Sequence, residues 1–478
     1  MATYKSIKYV IPVEAVEHTD SINALSDVDT VTTPPSDYQI LVWSAADSKW
    51  YPGYVEEPAG TQKALFGFGY ANGNSGNNYS SGYVNITNLV SSTGVVATDT
   101  AGVGSARSDL AASGYGGDKA IFGFGLGSGS GYSMNYYNLT NLVSNTGVVS
   151  TDTTGVGSIR NQLAAASYGG DKAIFGFGGT TVSYNFTETN VTNLVSNAGV
   201  VASDTTGVGT AQYGSAASGY GGDKAIFAFG QGPSTTNRSN LVSNIGVVST
   251  DITGVGQSRM NLAAATYGGD KAIYGYGWNG SSGGYNMTNL VSNVGVMGSD
   301  QTGVGTAQYG SAAAGYGGDK AIFAFGGENM DADWPTQPTA INRINLVSNT
   351  GVVASDSTGA GTARSNLAAA SYGGDKAIYG YGWNGYVGGY NMTNLVSNTG
   401  VVASDTTGVG TARRPGAAGY GGDKAIFGFG PDDDGNYGGN ETSVTNLVSN
   451  TGVVSSDTAG VGTGRRRGIG AAGYSTTA

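Results

Sequence analysis

Two phrases, each repeated eight times, constrain this chain more than any other feature of it. Lys-Ala-Ile/Leu-aromatic begins at Lys63, Lys119, Lys172, Lys224, Lys271, Lys320, Lys376 and Lys424. Asn-Leu-Val-Ser begins at Asn88, Asn141, Asn193, Asn240, Asn289, Asn345, Asn394 and Asn446. A period of about 50 residues in short, β-rich phrases marks a supersecondary unit that buries its apolar surface only by stacking on copies of itself. The expected fold is all-β: a closed eight-bladed β-propeller of four-stranded antiparallel blades over residues 61–478.

One unit runs from Arg364 to Gly410. Strand a is Leu367-Ala-Ala-Ala-Ser-Tyr372, and Gly373-Gly374-Asp375 turns the chain into strand b, Lys376-Ala-Ile-Tyr-Gly-Tyr381. A connection of variable length leads to strand c, Asn391 to Val396. Asn398-Thr399-Gly400 forms a hairpin turn, and strand d is Val401-Val402-Ala403-Ser404. Period-2 alternation in strand b puts Ala120, Phe122 and Phe124 on one face and Ile121, Gly123 and Gly125 on the other. An aromatic row can then lie against the glycine row of the next unit. The small residues of strand a suit the crowded centre of such an array.

The two ends hold fragments of one unit. The chain enters the pattern at strand b, Thr61 to Gly67, and leaves it at strand a, Gly468 to Ser475. Residues 468–476 are therefore expected to pair with 62–69, leaving no open edge.

Composition excludes several alternatives. Gly makes up 84 of 478 residues, but without a Gly-X-Y register, and 39% of residues are apolar, so neither collagen nor disorder fits. There is no Cys, which removes disulfides, thiol nucleophiles and Cys-ligated zinc. The one histidine, His18, lies outside the repeats. A net charge of −11 argues against nucleic acid. No apolar run is long enough to span a bilayer, and Met1 to Lys5 does not begin a secretory signal, so no membrane insertion is expected.

The unit resembles the kelch repeat. Arg364, the small strand Leu367 to Ala370, Gly373-Gly374, Tyr379-Gly380-Tyr381-Gly382 and Asn398-Thr399-Gly400 follow the kelch order. Val401 or Val402 stands where that family has a tryptophan. Residues 1–60 differ in character: Leu25-Ser26-Asp27-Val28-Asp29, Pro34-Pro35, Gln39 to Trp43 and Lys49-Trp50-Tyr51-Pro52-Gly53. They resemble a short module of bacteriophage tail-fibre and other virion proteins, marine phages above all, and the wording of the repeats resembles marine-phage repeat proteins. The resemblance implies a virion location, with residues 1–60 docking to other virion proteins. It leaves room for a homo-oligomer.

The b–c connections change in length and sequence while everything around them repeats. They carry Trp278, Asn279, Trp334, Trp383, Asn384 and Tyr386. Aromatic platforms beside amides suit sugars and protein contacts. These six residues are the expected ligand-binding set, facing a host-surface glycan or protein. Other motifs read as structural. Gly221-Gly222-Asp223-Lys224 leads into a strand rather than a helix, so it is turn punctuation and not a phosphate loop. Asp99, Asp152, Asp204, Asp251, Asp300, Asp356, Asp405 and Asp457 recur, and each is expected to bond its own turn. Asp432 and Asp434 cluster with Gly435, but the full calcium-loop pattern is missing, so no metal or cofactor is expected. Copper-oxidase propellers of the kelch type need a Cys-modified Tyr and His ligands, which this chain lacks. The expectation is a non-enzymatic attachment protein or, alternatively, a purely structural virion component.

Overall fold

The chain divides into two units, Met1–Ala59 and Gly60–Ala478. The structure, a computed structural model, describes residues 40–44 and 49–53 of the first unit. Of the second it describes residues 62–474, apart from 72–81, 101, 103, 130–133, 154, 183–184, 206, 208, 253–255, 281–282, 302–304, 329–338, 358–360, 384–387, 407, 409, 433–439, 459–461 and 466–468. In the first unit, Ile40–Ser44 pairs antiparallel with Lys49–Gly53, placing Trp43 opposite Trp50 in the register.

The described residues of the second unit contain no helix, and their main elements are eight three-stranded antiparallel sheets. In repeat 2, strand a is Ala111–Tyr115, strand b Lys119–Gly123 and strand c Thr140–Val143, hydrogen-bonded in the order a-b-c. Repeats 3 to 8 follow, their b strands beginning at Lys172, Lys224, Lys271, Lys320, Lys376 and Lys424. Repeat 1 draws on both ends of the unit. Its b strand, Lys63–Gly67, pairs with Gly470–Tyr474 in the register Lys63↔Tyr474 to Gly67↔Gly470.

Each a strand lies beside the a strand of the following repeat, from Ala111–Tyr115 through to Gly416–Tyr420. Gly470–Tyr474 lies beside both Gly416–Tyr420 and Ala111–Tyr115. Backbone bonds reinforce this order at the a–b turns. Gly116 N donates to Asp171 O at 2.6 Å, Gly169 N to Asp223 O at 2.6 Å, and Gly421 N to Gln62 O at 2.6 Å. Gly116 and Gly117 hold φ of 62° and 77°, a conformation that L side chains adopt rarely.

Strand b is buried on both faces, and that is why its residues are so uniform. Ala120 and Phe122 pack with Leu65, Phe68, Val143 and Tyr474 toward repeat 1. Ile121 packs with Tyr115, Ala173, Phe175 and Val195 toward repeat 3. The glycine row faces rings as the alternation requires. A Cβ on Gly123 would meet the Phe175 ring at 2.8 Å, on Gly275 that of Phe323 at 2.8 Å, and on Gly428 that of Phe66 at 3.0 Å.

Two sequence-based expectations fail locally. Phe124 does not continue the row of Ala120 and Phe122. It takes φ of 65°, and this left-handed step turns its ring into the cluster of Ile121. Its equivalents do the same: Phe68, Phe177, Phe229, Tyr276, Phe325, Tyr381 and Phe429 all have φ between 59° and 64°. The expected strand d is also not a continuous strand. The fourth segment is joined to strand c only by separated bridges such as Val90↔Val96 and Thr87↔Thr100. Between them the Asn88 side chain inserts, donating to Ala97 O at 3.2 Å and to Asp99 Oδ1 at 2.9 Å. The amide side chain thus engages backbone that a regular ladder would use.

Candidate functional site

The variable b–c connections leave the end of strand b opposite the Gly-Gly-Asp turns, so within each sheet they occupy the other end. What holds that end rigid is a buried arginine. Arg107, Arg160, Arg259, Arg364, Arg413 and Arg465 precede their a strands and are all fully buried. Each guanidinium carbon stands 3.9–4.4 Å from the ring centre of the left-handed aromatic of the preceding repeat. Arg160, over Phe124, also donates to Asn193 Oδ1 and lies 3.8 Å from Asp204. Burial pulls the Arg160 pKa down to about 10, offset in part by Asp204, so the group stays charged at neutral pH. A desolvated cation–π contact of this type contributes about 2 kcal/mol.

The recurring aspartates tie each repeat to the linker that leads into it. Asp204 accepts from Ser158 N at 2.9 Å and Ser158 Oγ at 2.6 Å, forty-six positions upstream, besides Asn193 Nδ2 at 2.9 Å. This corrects the expectation that each Asp bonds its own turn. Burial alone would raise the Asp204 pKa, but the bonds from Ser158 and Asn193 and the charge of Arg160 bring it below 3.8.

On this frame, neighbouring b–c connections touch. Tyr83 Oη reaches Met134 Sδ at 3.1 Å, and Tyr136 Oη donates to Thr181 Oγ1 at 2.7 Å. Phe186 stacks edge-on against Tyr213 with centroids 4.6 Å apart. Thr235 Oγ1 donates to Asn279 O at 3.4 Å. The connections of repeats 1 to 3, and those of repeats 4 and 5, therefore touch directly, and Tyr213, in the linker into repeat 4, joins Phe186 to Gln231 between them; Thr181, Phe186, Tyr213 and Thr235 belong to this surface although the sequence did not single them out as contacts.

The expected ligand residues have different fates. Trp278 is half-buried and bridges Met260 and Gly284 through its backbone. Its indole N–H is enclosed and has no hydrogen-bond partner among the described residues. Asn279 Oδ1 accepts from Gly283 N at 3.3 Å. Trp383 is half-buried, bridges Ser365 and Gly389, and has the Arg414 guanidinium 5.6 Å from its ring centre. Both tryptophans thus brace their loops as well as presenting an aromatic face. Trp334, Asn384 and Tyr386 lie outside the described residues, as does Asp434. Asp432 sits in a two-residue ladder with Asn440–Glu441. Among the described residues no cluster of three or more His, Asp or Glu side chains could hold a metal ion. No helix among them is long and apolar enough to cross a membrane.

At the other end, two cavities of about 290 and 160 Å³ open, one among the Gly-Gly-Asp-Lys turns of repeats 2 and 3 beside Gln62 and Tyr474, the other among those of repeats 5 to 7. Their charges are internally matched. Asp118 accepts from Lys119 at 2.8 Å and from Asn145 at 2.8 Å. The Gly221 amide that a phosphate would need donates instead to Asp270 O at 2.6 Å.

No protein-family profile matches this chain, and neither does any curated protein. A solved structure described as "Structure of YjhT" is 10% identical, with 62% of this chain and 97% of that one covered and a TM-score of 0.40.

Proposed function

We propose that residues 61–478 form a closed eight-bladed β-propeller of kelch-like repeats that serves as a non-enzymatic recognition head. Support for closure comes from the pairing of Gly470–Tyr474 with Lys63–Gly67 and from the neighbour order of the a strands. In this reading the protein belongs to a bacteriophage particle, in a tail fibre or similar attachment structure. Residues 1–60 dock it to other virion proteins, and the b–c face meets a host-surface glycan. The observation that carries the recognition role is the contrast between frame and face. Arg–aromatic clasps and Gly–ring contacts recur in six of the eight repeats, while the connections they hold vary in length and are rich in Tyr, Trp, Asn and Thr. Selection for packing alone gives no reason for variety confined to one end.

The half-buried state of Trp278 and Trp383 favours a second reading, a structural virion component without a ligand. The two are separated by probing the full-length protein on an array of bacterial surface polysaccharides. Saturable binding that is lost on substituting b–c residues supports recognition. An array without binding, together with particles that lose integrity when the protein is deleted, supports the structural role.

A further inference from the structure

The turn between strand c and the fourth segment, such as Asn145-Thr146-Gly147, hardly changes from repeat to repeat. The residue after its glycine is valine in all eight repeats, from Val95 in repeat 1 to Val453 in repeat 8. Every one of these valines is 62–68% exposed. Repeats 4 and 5 add Ile245 and Val294 just before the glycine, 77% and 74% exposed. Among the described residues, Ile159 is the one other exposed large apolar side chain.

Folding does not require this. The next valine along does the packing: Val96 bridges Val90 and lies against the core. Threonine suits a strand as well as valine and would leave the outer position polar. Single exposed apolar residues are ordinary, but ten gathered at one structural position are a patch. The turns also follow one another in space. A Cβ on Gly295, in the turn of repeat 5, would lie 3.0 Å from Leu241 Cδ1 in strand c of repeat 4. One on Gly94, in repeat 1, would lie 2.9 Å from Leu447 Cδ1 in repeat 8. The exposed valines therefore form a belt.

The belt shares its end with the Gly-Gly-Asp-Lys turns. Asn145 Nδ2 donates to Asp118 Oδ2 at 2.8 Å, and Asn293 Nδ2 to Asp270 Oδ2 at 2.8 Å. Seven aspartates of those turns each pair with the lysine that follows, as Asp118 does with Lys119 at 2.8 Å. This end is thus close to neutral in a chain whose net charge is −11.

We propose that the belt is the face through which two copies of this chain associate, turn end against turn end. A chain at −11 repels its own kind, and here two copies meet with their charges already paired. A uniform belt is its own complement, as a two-fold interface requires. The b–c end varies from repeat to repeat and offers the belt no matching surface, so association stops at two copies. Ile245 and Val294 thicken the belt at one place and select among the rotational settings that eight like turns allow. The b–c connections remain open on both outer sides of the pair.

The test is sedimentation velocity of the full-length protein over a wide concentration range. The expected result is a reversible monomer–dimer equilibrium with no larger species. Ile245→Thr, Val247→Thr, Val294→Thr and Val296→Thr together should weaken the dimer about tenfold or more and leave the circular-dichroism spectrum unchanged. Hydrogen exchange on the wild-type chain checks the same face without a variant. Amides of the turns after strand c should exchange more slowly as concentration rises through the dimer range, while those of the b–c connections should not change. A monomer at every concentration, an open series of larger species, or a dimer without slowed exchange at these turns overturns the proposal.

Discussion

A Cβ atom on Gly176 would lie 2.9 Å from Cζ of Phe227 in the next repeat, closer than real Cβ contacts come. The glycine is therefore a consequence of the neighbour's ring and not of local backbone need. Gly176→Val should overpack this interface and cost about 1–3 kcal/mol, read from urea or thermal unfolding. Repeats 4 and 6 show how the chain accommodates a methyl group at this position, with Ala228 against Tyr274 and Ala324 against Tyr379. Combining Gly176→Ala with Phe227→Tyr should then cost less than the two changes summed, by about 0.5 kcal/mol or more. Strict additivity would show that the pairing of small residue and tyrosine is incidental.

A second prediction concerns the clasp. Arg160→Gln should remove the contact with the Phe124 ring and the bond to Asn193 and cost about 2 kcal/mol or more. Repeats 4 and 6 tolerate glutamine at this position, as Gln212 and Gln308, because Arg238 and Arg343 reach the recurring aspartate, Asp251 and Asp356, from strand c. Val191 occupies the equivalent place in repeat 3. Adding Val191→Arg to Arg160→Gln should recover part of the lost stability. If the double variant is no more stable than the single one, the exchange seen in repeats 4 and 6 is not compensation.

These two relationships also mark how far the sequence alone can be read. The repeats, the three strands of each sheet and the glycine–ring contact all follow from local pattern, since alternation and turn residues act over a few positions. The left-handed turn at Phe124 was not legible, because bulky residues seldom adopt it and nothing in the local phrase marks it; Phe177 and Tyr276 adopt it too, although glutamine stands at the arginine position of the repeat that follows each. The partner of Asp204 was missed for a related reason. Ser158 lies forty-six positions away, and nothing in the local phrase distinguishes that bond from an ordinary turn. At the candidate site, composition singled out Trp278 and Trp383, but both are half-buried and tied by backbone bridges to distant segments, at Met260 and Ser365. Variation in a loop indicates where specificity can reside without revealing which faces remain open.

The aspartates also set an acid limit. Asp99 accepts from Thr463 N at 2.9 Å and Thr463 Oγ1 at 2.7 Å, joining early and late segments of the second unit. Burial would raise its pKa, but the bonds from Thr463 and Asn88 and the charge of Arg465 bring it below 3.8. Asp204 and Asp405 are lowered in the same way. A carboxyl with a depressed folded-state pKa contributes stability that is complete above 3.8 and is lost as pH falls through the folded value. Unfolding midpoints should therefore be level near neutrality and drop below about pH 4. Asp99→Asn should lower stability at pH 7 and flatten the acid decline. An unchanged acid profile in that variant would show that Asp99 is not one of the groups responsible.

The sharpest test of closure is a circular permutant. Gly470–Tyr474 pairs with Lys63–Gly67 as strand a pairs with strand b elsewhere, yet no Gly-Gly-Asp turn joins them. Every other repeat has that turn, for example Gly116-Gly117-Asp118 between Tyr115 and Lys119. Inserting Gly-Gly-Asp between Tyr474 and Lys63, removing residues 1–62 and 475–478, and opening new ends between Pro233 and Ser234 keeps all eight three-stranded sheets. Pro233 and Ser234 sit at the exposed tip between Lys224–Gln231 and Thr235–Val242, so no ladder is cut. The new turn should also supply the one repeat that lacks it with a glycine N–H for Asp118 O, matching the 2.6 Å bond from Gly116 to Asp171 O. The permutant should melt at or above the temperature of the parent. A matched control that lacks residues 470–478 should aggregate, since it bares Leu65 and Phe66, both fully buried in the parent, along a free strand edge. If the permutant unfolds with the control, the pairing of Gly470–Tyr474 with Lys63–Gly67 does not close the structure. If both behave like the parent, the seam contributes nothing to stability and the ring is not the unit of folding.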